Sequence, residues 1–197
     1  MTTKKAPEKD AQERPLRNFN EYLEYQELKE GSIWLAGPID DDIVIWVDRR
    51  LNELVRLGKK NVTFRIQSPG GSVYSSMALL DILNDMRTQG FHLTGLVEGY
   101  AASAAAMIVL QAMDQRNARP NARILIHEPR KFSFGTQRAS EIEDEMSELQ
   151  ELTDKIVEIM SDRTGRTPDE LQKLFRRRER WLSAQRALEY GFLDRIV

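Results

Sequence analysis

Apolar residues along this chain switch repeatedly between two spacings. Ser32-Ile33-Trp34-Leu35-Ala36 is a short apolar run ended by Gly37-Pro38, which predicts a strand. Asp40, Asp41 and Asp42 then offer a helix cap and first-turn charges, and Val44, Val47, Leu51 and Leu54 recur at helical spacing until Gly58. In the next block Val62, Phe64 and Ile66 alternate with Thr63, Arg65 and Gln67, the period of a strand, which runs straight into Ser68-Pro69-Gly70-Gly71-Ser72. Val73, Met77, Leu80 and Leu83 mark a second helix ending near Gly90. The cycle then repeats: a strand from Phe91 to Val97, a small-residue turn, a helix from about Ala102 through Leu110, and a strand from Ala122 to His127. Strands that alternate with helices predict parallel βαβ crossovers and a layered α/β domain.

The pattern changes beyond Pro129. Phe132 and Phe134 alternate around Ser133, which predicts an extended segment over 131–136. A long helix follows, with Ile142, Met146, Leu149, Leu152, Ile156 and Ile159 on one stripe, ending near Gly165. Thr167-Pro168-Asp169-Glu170 is a capping box with proline at the first helical position, opening a short helix through Phe175. Arg176 to Trp181 is a charged loop or edge strand, Ser183 caps a helix to Tyr190, and Phe192 to Val197 reads as a final strand. Residues 1–18 are charged and nearly free of large apolar groups, as expected of a mobile arm, so residues 19–197 are taken as one domain.

Composition narrows the class. The 197 residues are 41% hydrophobic, enough to bury one core. A net charge of −2 gives no basic footprint for nucleic acid. No apolar stretch approaches the roughly 20 residues needed to cross a bilayer, and the polar start lacks a signal-peptide apolar region. The absence of cysteine excludes disulfides and thiolate chemistry and fits a cytoplasmic protein. With two histidines, His92 and His127, a multi-histidine metal site is not expected.

In parallel sheets ligands bind beyond the carboxyl ends of the strands. Gly70-Gly71, Ser103 and His127 all fall just past such ends, on one edge of the expected sheet. Ser103 lies where a strand turns into a helix, with Ala101 and Ala105 at the positions of the glycines in a G-x-S-x-G elbow. A nucleophilic serine needs a base, and His127 is the candidate because imidazole titrates near neutrality. It also needs oxyanion donors, which the N–H groups of Gly71 and Ala104 could supply. Taken singly, Ser103 also fits a helix cap, His127 a strand-end histidine, and Gly70-Gly71 a plain tight turn. His92, at the opposite end of its strand, is given no role.

Ser68-Pro-Gly-Gly-Ser72, Gly99-Tyr-Ala-Ala-Ser103-Ala, Arg119-Pro-Asn through His127-Glu-Pro129, and Trp181-Leu-Ser-Ala184 through Asp194 occur in order along the chain. Together they resemble the Clp protease proteolytic subunit from about Leu28 to Val197. The resemblance implies a crotonase-like fold of stacked βαβ units with a protruding strand–helix handle, here residues 130–163. It implies a serine endopeptidase whose nucleophile is Ser103, whose base is His127 and whose oxyanion donors are Gly71 and Ala104. Substrate would lie as an extended strand along Gly70, Ser72 and Val73 and along the handle segment at Ser133. Two stacked heptameric rings of this chain and a Clp-type AAA+ unfoldase that spends the ATP and feeds in unfolded protein are also implied, with no cofactor or metal on the chain itself. Where the family carries the triad aspartate this chain has Glu179, flanked by Arg178 and Arg180, which could compete with His127 for it. A ring subunit with impaired catalysis is the alternative. A crotonase-type acyl-thioester enzyme would not explain Ser103 with His127, and a membrane-bound Ser-Lys peptidase would need a spanning segment.

Overall fold

A computed structural model of the chain describes residues 19–130, 136 and 138–197. The expected arm over 1–18 and the segment around Ser133 lie outside the described residues. Helix α1 (Phe19–Lys29) leads into β1 (Ser32–Ala36), α2 (Asp41–Arg56), β2 (Asn61–Ser68), α3 (Val73–Thr88) and β3 (His92–Ala102). Then come β4 (Gln115–Ala118), β5 (Arg123–Ile126), α4 (Ala139–Thr164), α5 (Pro168–Phe175), β6 (Arg180–Ser183), α6 (Ala184–Glu189) and β7 (Arg195–Ile196).

Local chemistry sets most of the element boundaries. Asp40 accepts the Ile43 N–H at 3.0 Å and starts α2, and Ser72 does the same for α3 through the Ser75 N–H at 3.2 Å. Thr167 and Glu170 exchange the reciprocal bonds of a capping box with Pro168 at the first helical position of α5. The sheet runs β1-β2-β3-β4-β7, with every pair along it parallel. Strand β3 has two neighbours on one flank in succession: Thr94 to Val97 pair with β4, and Tyr100 to Ala102 pair with β5. Strand β5 then pairs antiparallel with β6, so the far end of β3 departs from the main sheet toward a smaller one. The core lies between the sheet and the helices, with Phe64, Ile66, Leu79, Leu83, Leu93 and Phe175 almost wholly excluded from water.

Three expectations are corrected. Strand β3 does not stop at Val97 but runs to Ala102, because the small residues of 99–102 allow close pairing with Ser68 and with β5. The helix expected from Ala102 is instead a π turn over Ala105–Val109 followed by a 3₁₀ turn over Leu110–Ala112. Two elements come in addition to those expected: α1, and β4 over Gln115–Ala118, a strand whose polar letters hide it. The last strand shrinks to Arg195–Ile196, since Phe192 and Leu193 pack into the core and Asp194 turns to Arg116.

The long helix α4 divides along its length. Ile156, Val157 and Met160 are buried, whereas Ile142 and Met146 near its start are exposed, so its first turns stand beyond the core. The Tyr74 hydroxyl, on the first turn of α3, donates to Glu148 Oε1 at 2.6 Å and ties this part to α3.

Candidate active site

Ser103 sits one residue past β3 and stays on the ladder, its N–H donating to the Leu125 carbonyl at 2.9 Å. Its φ is +54°, a left-handed conformation that an L-residue adopts at a cost of about 1–2 kcal/mol. The Ser103 carbonyl then accepts the N–H groups of both Ala106 and Met107, each at 2.9 Å, which starts the π turn. A sharp, strained strand-to-helix turn is how a serine hydroxyl is lifted clear of its own backbone. Ala104, next along, is in the first turn of that helix, where an N–H has no carbonyl four residues back to bond.

Gly70 is pressed against this turn. A side chain on Gly70, whose φ is +82°, would come within 2.9 Å of both Ser103 Cβ and the Ala104 nitrogen. Gly71 forms a parallel bridge with Ile39, and a Cβ there would meet the Ile39 carbonyl oxygen at 2.2 Å. The bridge bonds run from the Ile39 N–H to the Gly70 carbonyl and from the Ser72 N–H to the Ile39 carbonyl. Alternation along an extended chain therefore points the N–H of Gly71 away from Ile39. The Gly70 N–H is taken by Ser68 Oγ at 3.1 Å. Ser72 caps α3 and Val73 is its first residue, so the non-helical backbone beside the turn ends at Ser72.

His127 follows the last residue of β5, the strand that pairs with the end of β3, so Ser103 and His127 terminate neighbouring strands. His127 Nδ1 lies 2.5 Å from the Glu128 carbonyl oxygen. A carbonyl only accepts, so Nδ1 carries the proton and Nε2 keeps its lone pair, the tautomer a general base requires. Glu179 lines the same open cleft, of about 320 Å³, as His127 and Arg130. Its Oε1 accepts from Arg130 Nη2 at 2.7 Å, not from Arg178 or Arg180. Among the described residues, no hydrogen bond joins Ser103 to His127 or His127 to Glu179. The sequence did not point to Arg130, whose reach to Glu179 spans 49 residues.

The structure thus packs Gly70 against Ser103 and Ala104, puts Gly71 next to it on the Ile39 bridge, sets His127 on the adjoining strand end, and holds Glu179 in a cleft with it. The family model for Clp protease matches residues 17–197. The chain belongs to the Clp protease family. A curated relative, the ATP-dependent Clp protease proteolytic subunit 2 of Thermobifida fusca (strain YX), is 32% identical over 192 residues, covering 93% of this chain and 88% of the relative. Membership makes the chain a serine-type peptidase and accounts for its mixed sheet of mostly parallel strands. Among the described residues of this Clp protease no cluster of three histidine or acidic side chains is placed to hold a metal ion, and no helix is long and apolar enough to cross a membrane.

Proposed function

We propose that the chain is the proteolytic subunit of an ATP-dependent protease, with Ser103 as nucleophile. The observation that carries this reading is the φ of +54° at Ser103, held beside Gly70-Gly71 and the Ala104 N–H. Ser103 Oγ attacks the peptide carbonyl carbon while His127 Nε2 takes its proton. The oxygen that becomes negative is received by the N–H groups of Gly71 and Ala104. His127 returns the proton to the leaving amine, and water, activated by the same imidazole, releases the acyl group and restores Ser103.

Glu179 completes the relay by leaving Arg130 and taking the His127 Nδ1–H from the Glu128 carbonyl. Arg130 and Glu179 side chains are each about half exposed (57% and 48%), so their ion pair is screened and weak, and the exchange costs little. The backbone at Gly70, Gly71 and Ser72 receives the substrate strand through main-chain bonds, with Val73 and Ser133 as further binding residues, which makes side-chain preference modest.

We further propose that copies of this chain stack as two heptameric rings, in the cytoplasm, around the Ser103 sites. A Clp-type AAA+ unfoldase hydrolyses ATP and threads unfolded protein to them, while the chain itself needs neither metal nor cofactor. The exposed start of α4 supports a role as the handle between rings. A purely structural ring subunit is not favoured, because Ser103, its strained turn and the adjoining histidine are all in place.

Ser103→Ala, tested against the wild type on a fluorogenic peptide, should abolish cleavage while light scattering reports an unchanged assembly. Full activity in that variant would sink the proposal.

A further inference from the structure

Behind the Ser103 turn runs a buried polar chain that the relay does not use. Gln111 is 1% exposed and Arg116 5%, in a segment where Ala105 to Leu110 are otherwise apolar and buried. Packing alone would be served by a leucine at 111, and burying an amide is unfavourable unless its bonds are made. They are made at both ends. Gln111 Oε1 accepts from Arg116 Nη1 at 2.8 Å, and Gln111 Nε2 donates to the Ala106 carbonyl at 2.9 Å. Arg116 is itself fixed by Asp194, at 2.5 Å to Oδ1 and 3.1 Å to Oδ2, and by the Gly191 carbonyl at 2.9 Å. An arginine only donates, so the amide has one orientation: its oxygen faces Arg116 and its NH₂ must face Ala106.

Ala106 is the third residue after Ser103 and lies in the π turn, where the regular helical ladder is interrupted. Its N–H is bound to the Ser103 carbonyl and its carbonyl to Gln111, so the Gln111 amide anchors the turn from below. We propose that Gln111 is a positioning residue for peptide cleavage, its amide fixing through Ala106 the turn that presents the Ser103 hydroxyl and the Ala104 N–H. The proposal rests on the reading of Ser103 as nucleophile. Arg116 and Asp194 act one step further back, as the clamp that sets the amide.

Two variants divide the roles of the amide. Gln111→Glu keeps an oxygen for Arg116 and removes the donor to Ala106, whereas Gln111→Leu removes both. In the full chain, Gln111→Glu should lower its thermal midpoint, because a buried carboxylate oxygen then faces the Ala106 carbonyl, while it still folds and assembles at assay temperature and loses kcat by about a hundredfold, the cost of a misplaced reacting group, with KM unchanged. Hydrogen exchange at the amides of Ser103 to Val109 should quicken in the same variant. A kcat within about twofold of wild type, or unchanged exchange in the turn, would overturn the proposal, whatever happens to the stability of Gln111→Leu. A wild-type chain that neither cleaves peptide nor takes an active-serine phosphonate would instead refute the role of Ser103, and the exchange measurement would still decide whether Gln111 fixes the turn.

Discussion

Backbone strain at Ser103 ties stability to function at a single residue. Ser103 and Arg177 are the non-glycine residues with positive φ among those described, and Ser103 is the one at a strand-to-helix turn, packed against Gly70. Relieving the strain should stabilise the fold at the expense of the hydroxyl. Ser103→Gly is expected to exceed Ser103→Ala by about 1 kcal/mol in unfolding free energy, measured by denaturant titration, with both inactive. Gly71→Ala should cost activity about a hundredfold or more, since its Cβ must move Ile39 and with it the N–H that faces the substrate. The Arg130–Glu179 pair makes the opposite prediction. Arg130→Gln frees the carboxylate, so kcat should rise in low salt and lose the salt activation expected of the wild type, as read by peptide cleavage across ionic strength. Ser103, His127 and Gly71 were legible in the sequence because a sheet rule places residues at strand ends from local pattern alone. The partner of Glu179 was not, because sequence offers its neighbours Arg178 and Arg180, and only the path of the chain brings Arg130 to it from 49 residues away.

Elements were legible in proportion to how locally they are encoded. Helices α2 and α5 carry their caps, Asp40 and the Thr167–Glu170 box, within a few residues of their first turns. Strand β4 carries no such mark: Gln115-Arg-Asn-Ala118 looks like a loop, and it is the bonds from Arg116 to Asp194, Gln111 and the Gly191 carbonyl that make a buried arginine tolerable there. The far half of β3 was hidden for a related reason, since glycine and alanine show neither period. Helix α4 adds a prediction of its own. Tyr74→Phe removes the hydroxyl bonded to Glu148, so hydrogen exchange should quicken over the exposed first turns of α4 and stay unchanged around Ile156 to Met160. Equal protection in both regions would show that the tie contributes nothing.

Across the whole molecule, the Asp194 clamp joins the end of the chain to β4 and makes stability depend on pH. Burial pushes the Asp194 carboxyl up, but side-chain and backbone hydrogen bonds from Arg116 and its charge more than offset this, so it titrates below its usual value. A carboxyl whose pKa is depressed by folding contributes stability above its unfolded pKa and loses it as pH falls through the folded one. The thermal midpoint should therefore decline in acid below the ordinary aspartate range, and Asp194→Asn should be less stable at neutral pH with a shallower acid decline. A variant with the wild-type acid profile would remove Asp194 from this role. Assembly sits above all of this, because a ring that encloses its sites makes cleavage depend on the partner that feeds it. The chemistry within each copy can still be read alone. The most direct test is to treat the chain with an active-serine phosphonate and locate the adduct by mass spectrometry of the digested protein. A single adduct on Ser103, absent from Ser103→Ala and lost from the wild type when His127 is replaced by alanine, is the predicted result; a chain that stays unlabelled, or is labelled at another serine, would contradict it.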